Sequence, residues 1–343
     1  MRPLRHGRGQ GMTDPLLEVR DLHVRFPVRR NLLGRTTVEN HAVSGVDLAL
    51  VPGETLALVG ESGCGKTTLG RTIVGAQKAT SGSVLFEGED LTAMRDRDRA
   101  RYRRQIRMVF QDPFSSLNPR FTLRQIIGDP LVATGEARGS ELEDRVAEMM
   151  RRVGLSPDYM DRYPHAFSGG QRQRVNIARA LIVNPRLVVA DEPVSALDVS
   201  VRAQILNLLR ELQSELGLTY LFISHDLSVV ENLADRVAVM YFGRIVELAS
   251  TADLYERPQH PYTEALMSAV PIPDPSLKGR GGRILLPDEL PDPSNPPPGC
   301  AFARRCRHAV EGRCDTGVIP LEDGVRCVRR EELDLQGIVA AQS

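Results

Sequence analysis

The run from Phe167 to Asp198, FSGGQRQRVNIARALIVNPRLVVADEPVSALD, decides the reading of this chain. Its apolar stretch Leu187–Ala190 is predicted to be a buried strand, ending at the carboxylates of Asp191 and Glu192. Ligands bind at such strand ends in open α/β sheets. Neighbouring strand residues point to opposite sides, so the two carboxylates can do different work. Ahead of the strand, Arg174–Val183 is predicted to be a helix that stops before Asn184–Pro185. The turn Ser168-Gly169-Gly170-Gln171, just upstream, has no evident role in chemistry performed by the acidic pair.

Further upstream, Gly60-Glu-Ser62-Gly63-Cys64-Gly65-Lys66-Thr67-Thr68 fits G-x-x-x-x-G-K-[ST]. It follows the apolar run Thr55–Val59 and precedes a predicted helix, the context that a phosphate loop requires. Glycines let backbone N–H groups wrap phosphates, and the helix N-terminus adds partial positive charge. Lys66 is expected to reach the β- and γ-phosphates and Thr67 to place its hydroxyl on Mg²⁺. Cys64 is expected to be an inert small residue.

With a phosphate loop present, the acidic pair acquires roles. Asp191 is assigned to Mg²⁺ through water, and Glu192 to polarising the attacking water. Gln111, at the end of Val109-Phe110, could touch both metal and water. His225, after the apolar run Thr219–Ser224, could contact the γ-phosphate and hold Glu192. A lone Gln or His carries no such weight; the ordered set does.

That set resembles the ATP-binding-cassette (ABC) ATPases over residues 14–255. The matching segments are Walker A (60–68), the Q-loop (Gln111), the signature (167–171, with Phe167 where Leu is usual), Walker B (187–192), the D-loop ending at Asp198, and the switch His225. The resemblance implies a P-loop NTPase of the α/β class: a RecA-like core, an antiparallel N-terminal sheet and a helical subdomain at about 112–168. It implies two head-to-tail cassettes with ATP between them. Ser168, Gly169, Gly170 and Gln171 would then serve the partner's ATP, with Asp198 also at the nucleotide interface. Phe26 sits where the family places an aromatic on adenine; ordinary strand core is the competing reading.

Size, charge and the tail fill in the rest. The 343 residues allow one large domain and a smaller one. Lys plus Arg equals Asp plus Glu at 44 each, which removes bulk charge as an argument for nucleic acid. No apolar run approaches the roughly 18 residues of a membrane span. Residues 1–13 are expected to be a disordered extension, 14–256 the cassette, and 257–343 a C-terminal extension. Nine prolines between Pro271 and Pro298 point to an extended arm. Cys300, Cys306, Cys314 and Cys327 follow, spaced C-x5-C-x7-C-x12-C. This is neither the usual zinc pairing nor the ferredoxin pattern. A 4Fe–4S cluster, zinc and free core cysteines remain open on spacing alone.

The tail segments His260–Leu266 and Asn295–Cys306 resemble the C-terminal extension of oligopeptide and dipeptide importer ATPases. Pro27–Gly34 resembles the insertion of the second, F-type subunit. That resemblance implies a D-type ATPase partner, two permease chains, a separate solute-binding protein, no nucleic acid, and a place on the cytoplasmic face of the membrane. It also points to a 4Fe–4S cluster on the four cysteines. The competing function is a soluble ABC ATPase acting on nucleic acid or ribosomes.

Overall fold

The computed structural model describes residues 14–30, 36–112, 116–270, 284–287 and 291–338. The expected N-terminal extension, Pro113–Ser115 and most of the proline-rich arm lie outside these residues.

Two sheets organise the chain. Strands β1 (Leu17–Arg30), β2 (Thr36–Leu50), β4 (Ser81–Phe86) and β5 (Glu89–Asp90) form an antiparallel sheet in the order β2-β1-β4-β5. The second sheet runs β10-β9-β3-β8-β7-β6. Its members are β3 (Thr55–Val59), β6 (Ile106–Val109), β7 (Leu187–Asp191), β8 (Thr219–Ser224), β9 (Arg236–Tyr241) and β10 (Arg244–Ser250). Five of these strands are parallel, and β10 returns antiparallel to β9.

The central strands are buried on both faces, as parallel strands covered by helices must be. Their period-two alternation sorts side chains between cores. Leu187, Val189, Leu221 and Ile223 join the core beneath the antiparallel sheet, together with Leu69 and Ile73 of α1 (Lys66–Ile73). Val188, Ala190, Tyr220 and Phe222 face the opposite core. That core is filled by α2 (Leu123–Thr134), α3 (Gly139–Arg152), α4 (Gly169–Leu181) and α5 (Val199–Leu216).

Helix α4 begins five residues earlier than periodicity suggests. Ser168 and Gln171 form a reciprocal capping box: Gln171 N–H donates to Ser168 Oγ (3.4 Å) and Ser168 N–H to Gln171 Oε1 (3.1 Å). The same device, Thr122 with Gln125, starts α2, whose internal Pro130 hides it from pattern reading. Helix α5 starts directly after Asp198.

The C-terminal segment packs on the same sheet. Tyr262, from α7 (Pro261–Ser268, following α6, Thr251–Glu256), and Phe302 share a core with Ala57, Val59 and Tyr241. Ring centroids lie 4.6 Å apart for Tyr241–Tyr262 and 5.3 Å for Tyr241–Phe302. Gly324 O accepts from Leu248 N–H, and Arg326 N–H donates to Val246 O, so the tail covers the edge of β10.

The structure and the relatives described below overturn the expected 4Fe–4S cluster, and zinc with it. Among the described residues no group of three or more His, Cys, Asp or Glu is arranged to hold a metal ion. Cys300, Cys306, Cys314 and Cys327 instead line a small, largely apolar pocket with Phe302 and Ile319. Metal and cluster ligands are thiolates. Burial pushes the Cys300 thiol up to about 11 and raises Cys306 and Cys327 as well. Cys300 and Cys306 pack against the neighbouring core as small, partly buried side chains.

Candidate nucleotide site

The loop between β3 and α1 curls over the C-terminal ends of the parallel strands. Gly60 has φ +151°, and a Cβ there would lie 2.1 Å from Met240 O. Gly65 has φ +108°, and its Cβ would lie 2.1 Å from Ala42 O. Both contacts are far inside van der Waals distance, so glycine is required at each. Lys66 is buried, and its Nζ donates to the carbonyls of Gly60 (2.7 Å) and Glu61 (2.9 Å). The ammonium is thereby held inside the curve of the loop. Cys64 is buried, and that burial raises its thiol pKa, which suits an inert filler.

Thr67 Oγ1 donates to Asp191 Oδ1 at 3.0 Å. Asp191 is 2% exposed, and burial pushes its pKa up, with the Thr67 hydrogen bond opposing. One carboxylate and one hydroxyl beside a phosphate loop suit Mg²⁺, which takes few protein ligands and completes its shell with phosphate and water.

Gln111, Glu192 and His225 follow β6, β7 and β8, which are neighbours in the sheet. Gln111 Nε2 donates to Glu192 Oε2 at 2.8 Å, and His225 Nδ1 lies 3.2 Å from Glu192 Oε1. Glu192 has φ +45°, a backbone region unusual for a side chain this large. Its N–H donates to Ile223 O (3.0 Å), and its carbonyl accepts from Ser195 Oγ (3.1 Å). These two bonds fix the turn that aims the carboxylate.

A cavity of about 790 Å³ connects these groups. It is lined by Phe26, by the loop from Gly60 through Ser62, Gly63 and Gly65 to Thr68, and by Gln111, Glu192 and His225. It also contains residues that sequence reading missed: Asn40, His41, Ala42, Phe242, Leu266, Pro291 and Pro293. No motif marks these, because they come from the neighbouring sheet, the β9–β10 turn and the C-terminal segment. Ser168, Gly169, Gly170, Gln171 and Asp198 do not line this cavity. They lie at the starts of α4 and α5, whose ends touch: a Cβ on Gly170 would come 2.5 Å from Val201 Cγ1.

The chain is similar to known proteins over most of its length. Residues 43–195 match the ABC transporter family, and residues 246–314 match the family "Oligopeptide/dipeptide transporter, C-terminal region". The oligopeptide transport ATP-binding protein AppF of Bacillus subtilis is 52% identical over 294 residues, covering 85% of this chain and 89% of AppF. The oligopeptide transport ATP-binding protein OppF of Salmonella typhimurium is also 52% identical over 294 residues, covering 85% and 88%. Among solved structures, the dimeric ATP-binding cassette MJ0796, in a post-hydrolysis state with ADP and phosphate, aligns with TM-score 0.61 and 28% identity. It covers 68% of this chain and 98% of that one.

The chain therefore belongs to the ABC transporter ATPases, in the group that carries the oligopeptide/dipeptide C-terminal region. It is an ATPase of the kind that serves membrane transporters as a peripheral subunit. Among the described residues, no helix is long and apolar enough to cross a membrane. A non-transport role on nucleic acid or ribosomes is not favoured, since these relatives are transport proteins.

Proposed function

We propose that this chain hydrolyses ATP to drive import of di- or oligopeptides. It would work as one cassette of a dimer on two permease subunits, at the cytoplasmic face of the membrane. The carrying observation is the meeting of Lys66, Thr67–Asp191 and Gln111–Glu192–His225 at one end of the parallel sheet. The relatives' names supply the peptide.

Glu192 is the group that orients and polarises the attacking water. Gln111 and His225 hold its carboxylate from two sides, and His225 would meet the γ-phosphate. Thr67, Asp191 and Gln111 would hold Mg²⁺, which neutralises charge on the phosphates. The loop amides and Lys66 cradle the β- and γ-phosphates. Phe26 supplies an aromatic face to adenine, and Phe242, in the same cavity, is a second candidate.

Ser168 at the start of α4 is exposed, and a helix start carries partial positive charge that suits the partner's γ-phosphate. Ser168, Gly169, Gly170 and Gln171 thus serve a nucleotide held by the partner, with Asp198 beside them. The partner is a D-type relative, and the peptide arrives through a solute-binding protein. The chain divides into a cassette (14–256) and an extension (257–343). The stretch around Gln111, roughly Phe114–Phe121, transmits closure to the permeases; of this stretch, residues 114–115 lie outside the described ones.

Co-purification from membranes tests the reading. Recovery with two integral permease chains, and ATPase activity stimulated by peptide-loaded binding protein, are the expected results. Recovery with ribosomes or DNA, without permeases, would refute it.

A further inference from the structure

One residue of the phosphate loop is tied to the C-terminal segment by two contacts. Glu61, directly after Gly60, has its N–H held by Tyr262 Oη at 2.8 Å. Its carboxylate accepts both terminal nitrogens of Arg305, at 2.8 and 3.0 Å. Its carbonyl accepts Lys66 Nζ at 2.9 Å. Arg305 is also fixed: Nε donates to Pro287 O at 2.8 Å, and the side chain is only 7% exposed. The Tyr262 ring is locked between Tyr241 and Phe302. Glu61, whose carbonyl meets Lys66, is therefore oriented by side chains 201 and 244 residues away.

We propose that Arg305 and Tyr262 are positioning residues for the phosphate loop, setting nucleotide affinity by holding Glu61. A bidentate Arg–carboxylate pair fixes direction as well as distance, which a lone hydrogen bond does not. Released from it, Glu61 swings freely, the carbonyl facing Lys66 wanders, and the ammonium is no longer aimed into the loop's curve. The C-terminal extension becomes part of the ATP site without touching the phosphates. This inference rests on residues 60–68 being the phosphate loop.

Full-length protein and ADP with Mg²⁺ are sufficient for the first test, with ATPase kinetics for the second. Arg305→Gln is expected to raise the Kd for ADP and the KM for ATP about tenfold, as loss of a charge-assisted pair allows. Its kcat should stay within about twofold, and Arg305→Lys should recover part of the affinity. Tyr262→Phe deletes only the hydroxyl and should weaken ADP by a few fold. Glu61→Gln combined with Arg305→Gln should be no worse than the weaker-binding single variant. Arg307→Gln is the control: Arg307 pairs with Glu264 in the same segment and does not touch the loop.

Equal weakening by Arg307→Gln would mean general loosening and would overturn the proposal. So would ADP affinities within twofold of wild type in folded Arg305→Gln and Tyr262→Phe. If Arg305→Gln does not fold, Tyr262→Phe decides alone. Wild-type protein that fails to bind ADP would instead overturn the reading of the loop itself.

Discussion

Gln111 and Glu192 are joined by a 2.8 Å hydrogen bond across the ends of two adjacent parallel strands, β6 and β7. The bond fixes one carboxylate oxygen of Glu192, while His225 stands beside the other. The carboxylate is aimed before any water arrives. Glu192→Gln keeps an acceptor for Gln111 but loses the basic oxygen. ATP turnover should fall about 10²–10⁴-fold. ATP-dependent dimerisation should persist. Phosphate release and sizing with ATP check the two halves, and normal turnover would remove Glu192 from its proposed role.

Asp191 carries a buried carboxylate whose ionisation burial opposes. Asp191→Asn removes that cost and keeps an oxygen for the Thr67 hydroxyl. Nucleotide-free protein should melt at an unchanged or higher temperature, while Mg²⁺-dependent hydrolysis should fall at least ~100-fold. A clear drop in the melting temperature without nucleotide would mark Asp191 as a structural group instead.

Ser168 is assigned two separable duties. Ser168→Ala should cost about 0.5–1 kcal/mol through loss of the α4 cap, and should also lower ATPase activity in the dimer. Ser168→Asp restores a cap acceptor but sets a negative charge toward the partner's phosphate. It should recover thermal stability and not activity. Recovery of both would show that Ser168 acts only as a cap.

His260 gives a pH signature. It is 1% exposed, its Nδ1 accepts from Tyr262 N–H, and burial lowers its pKa to about 3. The unfolded chain binds a proton near pH 6.5, and the folded chain does not until much lower. As pH falls below about 6.5, the unfolded state is therefore favoured by about 1.4 kcal/mol per unit, until the folded group titrates. His260→Asn keeps the cap and should flatten the decline in melting temperature between about pH 6.5 and 5. Glu247 opposes this, because burial raises its pKa, but it does so equally in both proteins. Parallel declines would show that His260 is not the titrating group.

The phosphate loop, the acidic pair and the α/β core were legible because each is carried by contiguous residues. The apolar run Leu187–Ala190, the glycine pattern at 60–68 and the carboxylates at a strand end are local facts. The start of α4 was legible too, in Ser168 and Gln171, but apolar periodicity gives no weight to a capping pair. Helix α2 was hidden by Gly128 and Pro130, which local propensity counts against a helix that tertiary packing enforces. Glu61 falls at an unspecified position of the glycine pattern. Its partner Arg305 lies 244 residues on, and no spacing rule connects them. Cysteine count misled for the reverse reason: four thiols near one pocket look alike in sequence whether they are ligands or filler.

Glu192 stands in a backbone well that asparagine or glycine would occupy more comfortably. Random drift at this position would therefore tend toward a sturdier and idle protein. The turn that aims the carboxylate is held in opposition to folding stability, so the persistence of glutamate there is a debt that only transport can justify.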